Sequence, residues 1–136
     1  MIKSRRTARA AIPMRTDLHG KFNVSVSGTS FHQERLREIS LMYGVSQNAV
    51  LIPDINNEYD DFAVQVRVDL SGTTERIGWL PRDINHLYHK ALAHRIVTKR
   101  QTGWCPMRII GYLDPAEGNV GVRLSMVDDP RKLFSS

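Results

Sequence analysis

A chain of 136 residues with 41% apolar side chains is long enough to bury one core and short for two. No apolar run approaches the roughly 18 residues of a membrane span, and no apolar stretch follows the basic N-terminus as it would in a secretory signal. The single cysteine, Cys105, has no partner for an internal disulfide, so the expected setting is reducing and intracellular: cytoplasm for a prokaryotic or phage protein, nucleus for a eukaryotic one.

The net charge of +5 is unevenly placed. Residues 1–21 hold Lys3, Arg5, Arg6, Arg9, Arg15 and Lys21 against Asp17, while the remainder has as many acidic as basic side chains. The sequence therefore divides into a basic arm over 1–21, a domain over 22–126 and a tail over 127–136. The arm would attract phosphates without sequence preference, or simply be solvated.

In the domain, Phe22, Val24 and Val26 alternate with polar residues as a first strand ending at Gly28. Ser30 with Gln33 fits a capping box. Leu36, Ile39 and Tyr43 share one helical face, and Gly44 is placed to end that helix in a left-handed conformation. The mixed charges Glu34, Arg35, Arg37 and Glu38 read as a solvated face. Ala49 to Pro53 is a short apolar strand. The polar turn Asn56-Asn57-Glu58-Tyr59-Asp60-Asp61 then feeds a third strand over 62–69, in which Phe62, Val64 and Val66 alternate with Ala63, Gln65 and Arg67.

Ser71-Gly72 signals a hairpin into a fourth strand over Glu75–Leu80. Pro81 suits the first position of a second helix, with Asp83 at its positive end and Ile84, Leu87, Tyr88 and Ala91 as its apolar face. That helix is expected to end near His94, with a fifth strand from His94 to Lys99. A sixth runs over Cys105–Leu113, broken at Pro106, and a last over residues 120–126. Residues 127–136 read as a tail unless Leu133 and Phe134 dock. Short strands with turns between them and two helices predict a mainly β, α+β fold: a small barrel of six or seven strands.

Chemistry-bearing residues are sparse. His86 and His89 share a helix face, with His94 and Cys105 beyond, but there is no paired Cys and no H-E-x-x-H, so no metal site is expected. Cys105 with a histidine, or Ser30 with His32, lacks a positioned base and an oxyanion donor. Glu58, Asp60 and Asp61 could hold Mg²⁺ in a nuclease only with further carboxylates. No phosphate-binding glycine loop and no cofactor motif is present. By contrast Phe31 and His32 after strand one, Tyr59 and Asp60 at the opening of strand three, and Trp79 and Arg82 at the close of strand four could meet at one barrel mouth. Aromatic faces there would stack on unpaired bases, at about 1–3 kcal/mol per base. Arg82, at a helix start, would hold a phosphate.

Three blocks in order carry a family resemblance: VSVSGTSFHQ, NNEYDDFAVQV and ERIGWLPRDI. Together they resemble the HIRAN domain, in which a V-x-G strand with a following aromatic, an N-P-Y-D-x-x-A-V segment and a V-G-x-L-P segment succeed one another; the likeness covers about residues 22–126. It implies a small OB-like β-barrel with helices and a non-enzymatic module that grips the 3′ end of single-stranded DNA in repair, replication or defence. It also implies site residues. Ser30, Phe31 and His32 fall where the family has an arginine and two aromatics for phosphate and terminal bases. Asp60, beside Tyr59, matches the aspartate that meets the 3′-hydroxyl, and Arg82 matches a basic phosphate contact. Ser30 in place of arginine, His32 in place of an aromatic and Glu58 in place of proline depart from the pattern. The alternatives are a protein-interaction module docking to a nuclease, helicase or methyltransferase, and a metal-dependent nuclease.

Overall fold

The computed structural model describes residues 15–99 and 102–131. Within them one sheet is built from seven strands: β1 (Arg15–Asp17), β2 (His19–Ser25), β3 (Ser46–Pro53), β4 (Val64–Leu70), β5 (Thr73–Trp79), β6 (Thr102–Gly111) and β7 (Val120–Met126). The helices are α1 (Gln33–Tyr43) and α2 (Arg82–Lys99). The spatial order is β2-β7-β6-β3-β4-β5, all antiparallel neighbours, with β1 parallel to the start of β6. The mainly β, OB-like architecture with two helices is therefore present, with seven strands.

Alternation does most of this work. Val64, Val66 and Val68 of β4, Cys105, Met107 and Ile109 of β6, and Val120, Val122, Leu124 and Met126 of β7 all point into one core. Leu36 and Ile39 of α1 and Tyr88 and Leu92 of α2 enter the same core. Ser71 and Gly72 both have positive φ, 55° and 100°, which matches the two-residue hairpin expected between β4 and β5. Pro106 sits where β6 changes partner, after β1 at Trp104 and before β7 at Met107. Ile109 N–H donates to Val45 O (2.8 Å), and two-residue alternation then turns position 106 away from β3, into that gap.

The two edges of the sheet, β2 and β5, meet at one residue pair. Ser27 N–H donates to Trp79 O and Trp79 N–H donates to Ser27 O, both at 2.9 Å. Gly78 makes this approach feasible: a Cβ there would lie 2.3 Å from Ser27 O and 2.5 Å from Val26 Cγ1. A register shift in β5 beside Ile77 bends the strand just before the junction. α1 spans the rest of the seam. Arg35 Nη2 donates to Glu75 Oε2 (2.6 Å) on β5, and Arg37 Nη2 donates to Gly118 O (2.7 Å) in the β6–β7 loop.

Several expectations are corrected. Of the expected arm, residues 15–17 are in β1 and 19–21 in β2, while residues 1–14 lie outside the described residues. The capping box is absent: Thr29–Phe31 is a short 3-10 turn, and Gln33 Nε2 instead donates to Thr29 O (2.9 Å) and Val120 O (2.8 Å), while its Oε1 accepts from Val120 N–H (2.8 Å). Tyr43 is exposed and Ser40 takes the buried position on α1. Gly44 ends α1 at φ 96°, but with ψ 169° rather than the left-handed helical value. Arg35 and Arg37, read as solvated, tie α1 to the barrel. Phe62 lies in a turn ahead of β4.

Pro81 precedes α2, its carbonyl accepting from Ile84 and Asn85 N–H at 3.2 and 3.0 Å. The segment His94–Lys99 is helix rather than a fifth strand. Its β-branched run reads as strand locally, but the buried series Asn85, Tyr88, His89 and Leu92 carries the helix on. Leu133 and Phe134 of the expected tail lie outside the described residues.

Gly78→Ala should lower unfolding stability by about 1–3 kcal/mol, as overpacking against backbone does. Gly121→Ala should be tolerated, because the nearest atom to a Cβ there is Ile110 Cγ1 at 3.9 Å. Urea titration of both variants checks the contrast.

Candidate nucleic-acid interface

The loop between β3 and β4 is folded by its own short polar side chains. Asp54 Oδ1 accepts from Asn56 N–H (3.3 Å), and Asn57 Oδ1 accepts from the N–H groups of Tyr59 (2.8 Å) and Asp60 (2.9 Å). Asp60 Oδ1 accepts from Phe62 N–H (2.9 Å). Asp54 N–H to Ala63 O (2.8 Å) closes the loop's base. The result lifts Tyr59 into solvent, 82% exposed, and turns the Asp60 carboxylate toward α2.

α2 meets that carboxylate with two groups. Asn85 Nδ2, on a residue only 3% exposed, donates to Asp60 Oδ2 at 2.8 Å. Arg82 Nε stands 3.6 Å from the same oxygen, and Arg82 Nη2 donates to Tyr59 O at 3.2 Å. The Phe62 N–H, above all, and then Asn85 and the Arg82 charge hold the Asp60 carboxyl below the usual carboxylate range, against the opposing effect of burial. Asp60 is therefore an ionised acceptor at neutral pH, 18% exposed, with a cation beside it. One turn further along α2, His89 Nδ1 lies 3.0 Å from Ala63 O, and Phe62 packs edge-on against His86 and His89 with Lys90 over its ring.

The loop, the β2–β5 junction and the start of α2 surround one open pocket of about 300 Å³. Tyr59, Asp60, Trp79 and Arg82 line it together with Ser27 and Asn85. Four side chains expected at a common mouth are thus brought together. Ser30, Phe31 and His32 are not in its lining. They follow Gly28, whose Cβ position would be 3.4 Å from Trp79 Cδ1, so the turn they occupy springs from the pocket's edge. Phe31 is 87% exposed there.

Sequence reading missed Ser27, Asn57, Asn85 and Arg76. Arg76 places its guanidinium 5.1 Å from the Trp79 ring centroid. The i, i+3 spacing of Arg82 and Asn85 on one helix face was the available signal for Asn85. Ser27 joins only through the barrel junction, whereas Arg76 reaches the Trp79 ring from within β5. Of the other candidates, the Cys105 thiol is buried and its pKa is pushed up to about 12 by that burial, which leaves it inert as a nucleophile. Among the described residues, no group of three or more His, Cys, Asp or Glu could hold a metal ion.

An OB-like barrel whose seam opens into an aromatic-rimmed pocket, with a carboxylate and a guanidinium side by side, is a binding module built around its mouth. A family model described as the HIRAN domain matches residues 19–107, and the chain belongs to that family, whose domain is a DNA-binding module. No curated protein and no solved structure matches the chain significantly. No helix among the described residues is long and apolar enough to cross a membrane.

The depressed Asp60 pKa has a defined sign. The ionised carboxylate contributes stability above its unfolded value of about 3.9, and that contribution is lost as pH falls through the lower folded value. The stability difference between the parent and Asp60→Asn should be full near pH 6 and shrink below pH about 4. Urea unfolding of both across that range checks it; a difference independent of pH would mean that charge at position 60 is irrelevant.

Proposed function

We propose that this protein is a non-enzymatic module that binds single-stranded DNA by its 3′ end, with the terminal nucleotide in the mouth pocket. The observation that carries this reading is the pairing of Asp60 with Arg82 beside Trp79 and Tyr59. An ionised carboxylate can only accept, so it selects a ligand group that donates, such as a sugar hydroxyl. The adjacent guanidinium suits an anion attached to the same ligand. Trp79 and the exposed Tyr59 offer faces to a base. A nucleotide end presents all three features within one residue.

In this reading Asp60 accepts from the 3′-hydroxyl, Arg82 holds the neighbouring phosphate, and Phe31 and His32 stack on the bases that follow. Ser30 supplies at most a hydroxyl where the family pattern has arginine, so Arg82 and Arg76 carry the local positive charge. Asp60 serves as a ligand acceptor rather than part of a metal-dependent nuclease, because Asn85 and Arg82 already occupy the side on which a cation would sit. The cellular setting that fits is intracellular DNA repair, replication or defence, in keeping with the free, buried Cys105. Docking to a larger DNA-processing enzyme is the second reading. The observation favouring it is the exposed apolar group Leu41, Met42 and Tyr43 at the end of α1.

Binding should be measured to matched oligonucleotides with a free 3′-OH, with a 3′-phosphate and as blunt duplex. The parent should prefer the free end, and Asp60→Asn should reduce that preference about tenfold, the scale of one hydrogen bond to a charged group. Equal discrimination by parent and variant would remove Asp60 from the role. Deleting residues 1–14, which spares β1, should weaken all three complexes about equally and flatten their salt dependence. An unchanged slope would make the basic leader a bystander.

A further inference from the structure

On the outer face of the barrel Arg108 of β6 and Arg123 of β7 are directly paired across the sheet. Paired positions hold their Cβ atoms about 4.5–5.5 Å apart, and like charges placed so are destabilising. Both residues are exposed, and among the described residues neither is in an ion pair; the Arg108 side chain reaches only Ser46 Oγ, at 3.5 Å. Arg15, Arg35 and Arg82 by contrast each face a carboxylate. The other cross-strand arginine pair, Arg67 and Arg76, is separately engaged: Arg67 by Thr74 and Gln65, Arg76 by the Trp79 ring.

Register extends the pair into a row. Ser25 of β2 lies opposite Arg123, and Ser46 of β3 lies opposite Arg108, so two hydroxyl residues flank two guanidinium residues with no acidic residue among the four. Ser25 is two residues, about 7 Å, along β2 from Ser27, which lines the mouth pocket. The row thus begins beside the pocket and leads away from it over β7 and β6. Both arginines lie beyond residue 107, where the family match ends, so they are features of this chain outside the matched segment.

We infer that Arg123 and Arg108 bind successive phosphates of the DNA strand as it leaves the mouth across β2. This rests on the proposed mouth site and gives that site a direction and a length. An unpaired guanidinium doublet flanked by hydroxyls suits a phosphodiester backbone, because each fork can take one phosphate and the mutual repulsion is relieved on binding.

The test uses the full chain, its Arg108→Gln/Arg123→Gln variant, and single-stranded oligonucleotides of about three and about twelve nucleotides with a free or phosphorylated 3′ end, one below and one within the roughly 4–16-nucleotide range of single-strand sites. The parent should gain affinity with length. The variant should lose most of that gain, bind the longer strand about tenfold more weakly near 0.1 M salt, and show a log–log salt slope smaller by about 1.4, two contacts at about 0.7 each. Its preference for a free 3′-OH and its affinity for the short strand should be unchanged. An unchanged slope and length gain would overturn the row. A variant melting well below the parent would show the pair to be structural and would also overturn it, since removing opposed charges should leave Tm equal or higher. If neither protein prefers a free end, yet the slope still falls, the row stands and the mouth reading fails.

Discussion

The structure depends on the close approach of β2 and β5 at Ser27 and Trp79. Two backbone hydrogen bonds join the edges of an otherwise open sheet, and they form because position 78 has no side chain. That junction brings the two ends of the sheet around one core, and α1 lies along the same seam through Arg35 and Arg37. The same junction creates the site: Ser27 and Trp79 both line the pocket, so closing the barrel and forming its mouth are one event.

Asp60 is a second point where folding and chemistry coincide. Its Oδ1 completes the loop through Phe62 N–H, while Oδ2 faces Asn85 and Arg82 across the pocket. The loop's self-contained hydrogen bonding means that the carboxylate is positioned before any ligand arrives, which limits the ordering that binding has to supply. It also means that a change at position 60 alters local structure and ligand chemistry together.

Charge follows the same economy. The segment beyond residue 21 is balanced in formal charge, so positive potential comes from placement rather than excess. Arg35 and Arg15 are held by Glu75 and Asp69 and serve the fold. Arg76, Arg108 and Arg123 have no carboxylate partner among the described residues and face outward, two of them on a sheet face where repulsion disfavours them. A basic pI alone would have directed attention to the N-terminal leader and away from this surface.

How much was legible follows from the range of each signal. Alternation at Val64 and Val66, the Ser71-Gly72 turn, the hydrogen-bonding habit of Asn57 and the face of Leu36 and Ile39 are local and produced the elements they predicted, although Phe62 and Tyr43, expected to continue two of these patterns, lie in a turn and in solvent. Three motif blocks in order are enough for the family, and Tyr59, Asp60, Trp79 and Arg82, which lie within two of them, line one pocket. Local signals failed where a distant partner decides. His94–Lys99 is helix because Tyr88 and Leu92 pack in the core, Gln33 is bonded to β7 rather than to its own cap, and Arg15–Asp17 is strand because β6 offers it an edge. Ser27 entered the site only through barrel closure, and Asn85 through the packing of α2 against the β3–β4 loop. By itself the sequence determined the family, the fold class and most of the local elements, because propensity and short polar motifs act within a few residues. Which side chains share a pocket, and which arginines stand unopposed, only the tertiary structure decided, because both depend on strand register across the sheet and on how its edges meet.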